Sequence, residues 1–195
     1  MADLTTKAKV KTYLGVTGTT DDDLIDSIID GVSAMAETFC KRNFLRATYT
    51  EYFDTDSGDK KIFLRNTPII SVTSLSYKTG NFGNPTYVAY ETNDYLLKNT
   101  GIISLSHTMP DAEQFLKAVY VGGYLIDFAT EGAVTHTLPA DLTQAITEIV
   151  AENYQQRASQ SVLSETTEGQ SVTFRDITLT NKMKQKLAPF VHYNI

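Results

Sequence analysis

Apolar positions first recur at helical spacing. Lys7 to Leu14 reads as a short helix. Thr5 or Thr6 can cap its free amides, Leu4 can staple onto the first turn, and Gly15 can stop it. A polar turn, Thr17 to Thr20, leads into Asp21-Asp22-Asp23. Leu24, Ile25, Ile28, Ile29, Val32, Met35, Ala36 and Phe39 then form one stripe on a long helix. Three carboxylates at its start and Lys41-Arg42 at its end complement the helix dipole.

From about Arg46 the period changes to two. Thr48, Thr50 and Tyr52 alternate with Tyr49, Glu51 and Phe53. Short β-branched or aromatic runs follow at Lys60 to Arg65, Ile69 to Tyr77, Thr86 to Tyr90, Tyr95 to Lys98, Gly101 to Leu105 and Phe115 to Val121. Turn residues separate them, as at Asp56-Ser57-Gly58-Asp59 and Asn66-Thr67-Pro68. Roughly seven strands in about 75 residues, with no helices between, predict an antiparallel sandwich or barrel.

The helical period returns after Pro139. Leu142, Ala145, Ile146, Ile149, Val150 and Tyr154 share a stripe, and Thr143, Glu148, Glu152 and Gln156 are expected to face away. Ala158 to Ser171 is rich in Ser, Thr, Gln and Glu and reads as a mobile loop, with Val172 to Ile177 a brief extended piece. Thr180 starts a last helix, Pro189 ends it, and Phe190 to Tyr193 is an apolar tail. The pattern predicts an α+β fold. A discontinuous helical domain, residues 1–46 and 138–195, packs its two ends together around an inserted antiparallel β-sandwich or barrel domain at 47–137.

Composition narrows the function classes. Lys and Arg number 17 against 23 Asp and Glu, a net charge of −6, so a protein that grips nucleic acid by its phosphates is not expected. One cysteine, Cys40, excludes an intrachain disulfide and reads as a small packed residue. No run approaches the ~18 apolar residues of a membrane span, and the first ten residues do not read as a secretory signal. A soluble protein made in a reducing cytoplasm is the expectation, with no membrane partner.

Catalytic signatures are missing. The sequence holds no GxxxxGK[ST], GxGxxG or GxSxG. His107, His136 and His192 stand apart, without zinc-ligand spacing. Asp54 to Asp59 has the look of a calcium loop, but its sixth and twelfth positions hold Asp59 and Arg65 where Gly and Glu belong. No catalytic residue, metal site or cofactor is expected. Tyr77, Phe82, Tyr87, Tyr90 and Tyr95 read as core and cross-strand pairs, with stacking on a carbohydrate as the alternative. The basic C-terminal helix with its apolar tail suits docking, either onto its own domain or onto a partner.

The order of parts resembles the head–tail connector (adaptor) proteins of tailed bacteriophages and prophages. The resemblance rests on Leu4-Thr5-Thr6 with Val10 to Val16, and on Asp21 to Leu24 followed by Ile28-Ile29 and Ala34 to Arg42. Phe63 to Val72, Tyr120 to Tyr124 with Leu138 to Leu142, and Leu187 to Phe190 carry the rest. It implies a non-enzymatic virion neck protein, made in the bacterial host cytoplasm. Such proteins form a homo-oligomeric ring, usually of twelve subunits, under the portal protein. The ring extends the DNA channel, lets DNA pass without specific binding, and offers a platform to the tail or to a stopper or terminator protein. Lys182, Met183, Lys184, Lys186, Leu187, Phe190 and Tyr193 are then the candidate surface for the portal or a neighbouring subunit. Leu24, Ile28, Met35, Ile146, Ile149 and Tyr154 are the candidate helix face between subunits. Another ring protein of the neck, a terminator or stopper, is the alternative within the same class.

Overall fold

The computed structural model describes residues 2–81, 84–98, 101–128, 137–156, 164–167, 170–173 and 180–192. The chain divides into two compact units. One comprises Met1–Lys41 and Ile126–Val191, the other Arg42–Leu125 and His192–Ile195.

The first unit is built on α1 (Lys7–Leu14), α2 (Asp22–Cys40), α3 (Ala140–Gln156) and α4 (Asn181–Leu187), with a 3-10 turn at Ala188–Phe190. Thr6 caps α1 by accepting the Lys9 N–H at 3.2 Å, and Gly15 closes it in the left-handed region at φ 67°. Ile25, Ile29, Val32, Ala36 and Cys40 are the buried stripe of α2. Cys40 is buried and forms no disulfide. Helix α3 touches α1, α2 and α4, which explains why it is the most enclosed element. Thr143, expected to face solvent, is buried there. Its hydroxyl donates to the Pro139 carbonyl at 3.3 Å, so a polar side chain can enter the core without losing a partner. Thr147 does the same toward Thr143, and its oxygen lies 2.6 Å from that of buried Thr5.

The second unit contains β1 (Ala47–Thr55), β2 (Lys61–Phe63), β3 (Ile69–Asn81), β4 (Asn84–Ala89), β5 (Tyr95–Leu97), β6 (Ile102–Leu105) and β7 (Ala112–Gly122). These are the strands that the period-two pattern predicts. They form two sheets, in the orders β1-β7-β3-β4 and β2-β6-β5, and every pair is antiparallel. Leu75, Leu116, Ala118 and Tyr120 of one sheet share a core with Ile62, Ile103 and Leu105 of the other, so the architecture is a sandwich. Strand β3 runs past the expected end at Tyr77 because β4 continues to pair with it as far as Asn81.

The stretch read as a mobile loop requires correction. Ser164–Thr167 (β8) pairs antiparallel with Gln170–Thr173 (β9). A hairpin ladder uses backbone groups, and Thr166, Thr167, Val172 and Thr173 favour extended geometry, so a run with little to bury can still pair. Residues 158–163, 168–169 and 174–177 of the two readings lie outside the described residues.

Candidate functional site

The C-terminal segment is ordered by its own unit. Thr180 caps α4 by accepting the Met183 N–H at 3.3 Å. A seven-residue helix is unstable alone, and its stability here comes from the core. Met183 is 5% exposed and Leu187 0%. Lys186 forms an ion pair with Glu148 of α3. Met183, Leu187 and Lys186, expected on a docking surface, are therefore engaged inside the same chain. Lys184 is exposed and Phe190 half-buried. The Lys182 side chain and Tyr193 lie outside the described residues.

The second predicted surface divides in the same way. Ile146, Ile149 and Tyr154 point into the helical core, because α3 is enclosed by its three neighbours. Tyr154 also donates its hydroxyl to Asp21 Oδ2 at 2.5 Å. Leu24, by contrast, is 40% exposed, and Ile28 and Met35 are half-buried. These three lie at positions i, i+4 and i+11 of α2, along one flank of the helix.

Acidic groups line a separate face of α2. Asp23, Asp26 and Asp30 are exposed. Asp26 accepts a hydrogen bond from Lys7 Nζ at 2.7 Å, and Asp22 accepts one from Lys11 Nζ at 2.7 Å. The Lys11 hydrogen bond holds the Asp22 carboxyl below the usual range. Asp3 is shifted the other way, by partial burial and then by its hydrogen bond and charge repulsion with Asp30. At the far end of α2, Lys41 closes the helix in the left-handed region. Arg42 donates to Thr67 Oγ1 at 2.9 Å and to the Thr67 carbonyl.

In the β unit a polar network stands inside the sandwich. Tyr120 is fully buried and donates to Glu51 Oε1 at 2.6 Å. The Asn66 amide side chain donates to the same carboxylate oxygen at 3.0 Å, and its backbone N–H donates to the Tyr120 hydroxyl at 3.1 Å. Burial, with the Glu51 hydrogen bond second, pushes the Tyr120 phenol well above its ordinary value. This network was not legible in the sequence, where Glu51 read as one of several alternating strand residues.

The tyrosines do not gather on one face. Tyr52 and Tyr87 meet edge to face at 5.7 Å, with Lys117 Nζ 5.8 and 5.6 Å from their ring centres. Tyr77 and Tyr90 pair elsewhere at 4.9 Å, and Tyr95 packs against the core. Phe82 is outside the described residues. The acidic turn is held by hydrogen bonds: Asp59 Oδ2 accepts the Asp56 N–H at 3.3 Å, and Asp54 Oδ1 accepts the Gln114 N–H at 2.7 Å. Among the described residues, no group of three or more His, Cys, Asp or Glu is placed to hold a metal, and no helix is long and apolar enough to cross a membrane.

No curated protein matches the chain. Among solved structures it is similar to a chain in the neck of an empty gene transfer agent (GTA) particle computed with C6 symmetry. The TM-score is 0.58 at 15% identity, over 96% of this chain and 89% of that one. A chain from the virion of a native GTA particle gives 0.58 at 16%, with the same coverage. A third, from the neck of a native GTA particle computed with C12 symmetry, gives 0.54 at 12%, over 96% and 88%. At these identities the likeness establishes the fold. The family model described as head completion protein matches residues 3–187. The expected kinship with head–tail connector proteins is borne out, and over nearly its whole length the chain belongs to the head completion protein family.

Proposed function

We propose that the chain is a structural protein of the virion neck that forms a ring, of about twelve copies by analogy with its family, beneath the portal protein. The ring extends the DNA channel and provides the platform for the tail or for a stopper or terminator protein. The observation that carries this reading is the family match across residues 3–187. The fold shared with neck chains of GTA particles supports it.

A closed ring needs two different faces on each subunit. We assign one of them to the α2 flank of Leu24, Ile28 and Met35, whose apolar surface the subunit leaves partly uncovered. Lys184 is exposed and Phe190 half-buried, and we assign them to the portal or to the neighbouring subunit. We place the acidic face of α2, with Asp23, Asp26 and Asp30, toward the channel. Carboxylates repel DNA phosphates, so DNA passes without being held.

Purified protein mixed with its portal, measured by native mass and imaged at low resolution, tests the proposal. A closed ring bound to portal is expected, and Leu24→Asp with Ile28→Asp is expected to leave folded subunits that no longer close it. Failure to bind portal, an open-ended polymer, or rings unaffected by both substitutions overturns it. The position of the ring in the neck separates a portal-proximal connector from a terminator or stopper.

A further inference from the structure

One cleft of the β unit has a wall that its packing role does not account for. It lies where the β4–β5 and β6–β7 connections meet the ends of β3 and β7, and its volume is about 490 Å³. That is within the range of small-ligand sites. Tyr77 and Tyr90 stand 4.9 Å apart, Phe115 lies 6.4 Å from Tyr77, and His107 lies 5.3 Å from Tyr90. The rings are held from behind. The Tyr90 N–H donates to the Leu75 carbonyl at 2.8 Å, and the Tyr90 hydroxyl is 3.2 Å from His107 Nε2. Two carboxylates, Glu91 and Asp94, complete the wall, on a turn closed by the Glu91 N–H donating to Asp94 Oδ2 at 3.1 Å. Among the described residues, no Lys or Arg lines the cleft.

This wall selects one kind of guest. Aromatic faces carry partial negative charge, and ionised carboxylates only accept hydrogen bonds. A saccharide both donates and accepts. Among the described residues, the side-chain donors here are the Thr108 and Tyr77 hydroxyls and the Tyr90–His107 pair, which is already bonded to one another. A guanidinium is flat, stacks on rings, donates through five N–H groups and accepts none. We propose that this cleft binds a guanidinium group, the side chain of an arginine presented by another polypeptide.

Amide NMR of the full chain, titrated with N-acetyl-arginine methylamide, its lysine counterpart and methyl glucoside, tests the assignment. Saturable shifts at Glu91, Asp94 and His107 are expected with the arginine probe and weaker ones with lysine. Glu91→Gln with Asp94→Asn is expected to weaken arginine binding about threefold or more. Glu91 is exposed, so Glu91→Gln alone serves should the double variant lose its fold. No saturable shift with arginine, shifts unaltered by these substitutions, or a stronger response to methyl glucoside overturns the proposal. Sedimentation identifies the source. Dissociation of self-assembled species by the arginine probe assigns the side chain to a second copy, and an unchanged assembly assigns it to a different protein.

Discussion

Tyr120 on β7 and Glu51 on β1 hold one another across adjacent strands, the phenol donating to the carboxylate at 2.6 Å inside the sandwich. The same carboxylate accepts the Arg65 N–H at 3.2 Å, so the pair fastens the segment after β2 to the larger sheet. Tyr120→Phe keeps the ring but leaves the Asn66 backbone N–H without its acceptor, while the Asn66 side chain keeps Glu51. A loss of about 1–3 kcal/mol is expected, read by urea unfolding.

The same pair gives the β unit an alkaline limit. The folded-state phenol is raised above its unfolded value of about 10. Its stabilising contribution is therefore complete below about pH 10 and is lost as pH rises above it. Tyr120→Phe is expected to flatten the fall in stability as pH rises above about 10. A fall of equal steepness in the variant would remove Tyr120 as its cause.

Gly122 and Gly123 are both required by close approach. A Cβ on Gly122 would lie 2.1 Å from the Asn66 carbonyl oxygen, and one on Gly123 2.6 Å from the Leu45 oxygen. Gly123 also sits at φ 94°. Both neighbours are backbone, so relief requires moving the main chain. Gly122→Ala is expected to cost about 1–3 kcal/mol in thermal or urea unfolding, and a neutral result would mean that the 64–68 segment yields freely.

Packing and assembly roles separate within the C-terminal segment. Leu187→Ala removes a fully buried side chain and is expected to cost about 2–5 kcal/mol. Lys184→Glu is exposed and is expected to leave the unfolding midpoint unchanged while weakening ring or portal association. Sedimentation beside calorimetry distinguishes the two. A Lys184→Glu protein that assembles normally would withdraw that residue from the interface.

The α1–α2 ion pairs act at acid pH. The Asp22 carboxyl is held low chiefly by the Lys11 hydrogen bond, so its contribution is present above the ordinary carboxyl range and fades as pH falls through the lowered value. Lys11→Met is expected to make unfolding less sensitive to pH between about pH 5 and pH 2, because the partner that lowers the carboxyl is gone. Screening by solvent keeps the effect small.

Hydrophobic period carried most of the fold. The switches from 3.6 to two and back are local properties, and they located α1, α2, α3, α4 and β1 to β7. Periodicity also picked out Met183 and Leu187, Ile146 and Ile149 as apolar. It does not say whether an apolar face meets its own chain or another, because both burials leave the same pattern. Packing decided this: α3 lies among α1, α2 and α4 and uses its whole stripe internally, whereas α2 keeps Leu24, Ile28 and Met35 partly uncovered.

Chain order, helix and strand type, and the acidic balance follow from residue identity along the chain, since each depends on neighbours a few positions away. The Tyr120–Glu51–Asn66 network and the cleft of Tyr77, Tyr90, Glu91 and Asp94 join residues through strand register and long-range closure. No local pattern encodes which side chains converge there, because convergence is a property of the folded chain's geometry and not of spacing in sequence.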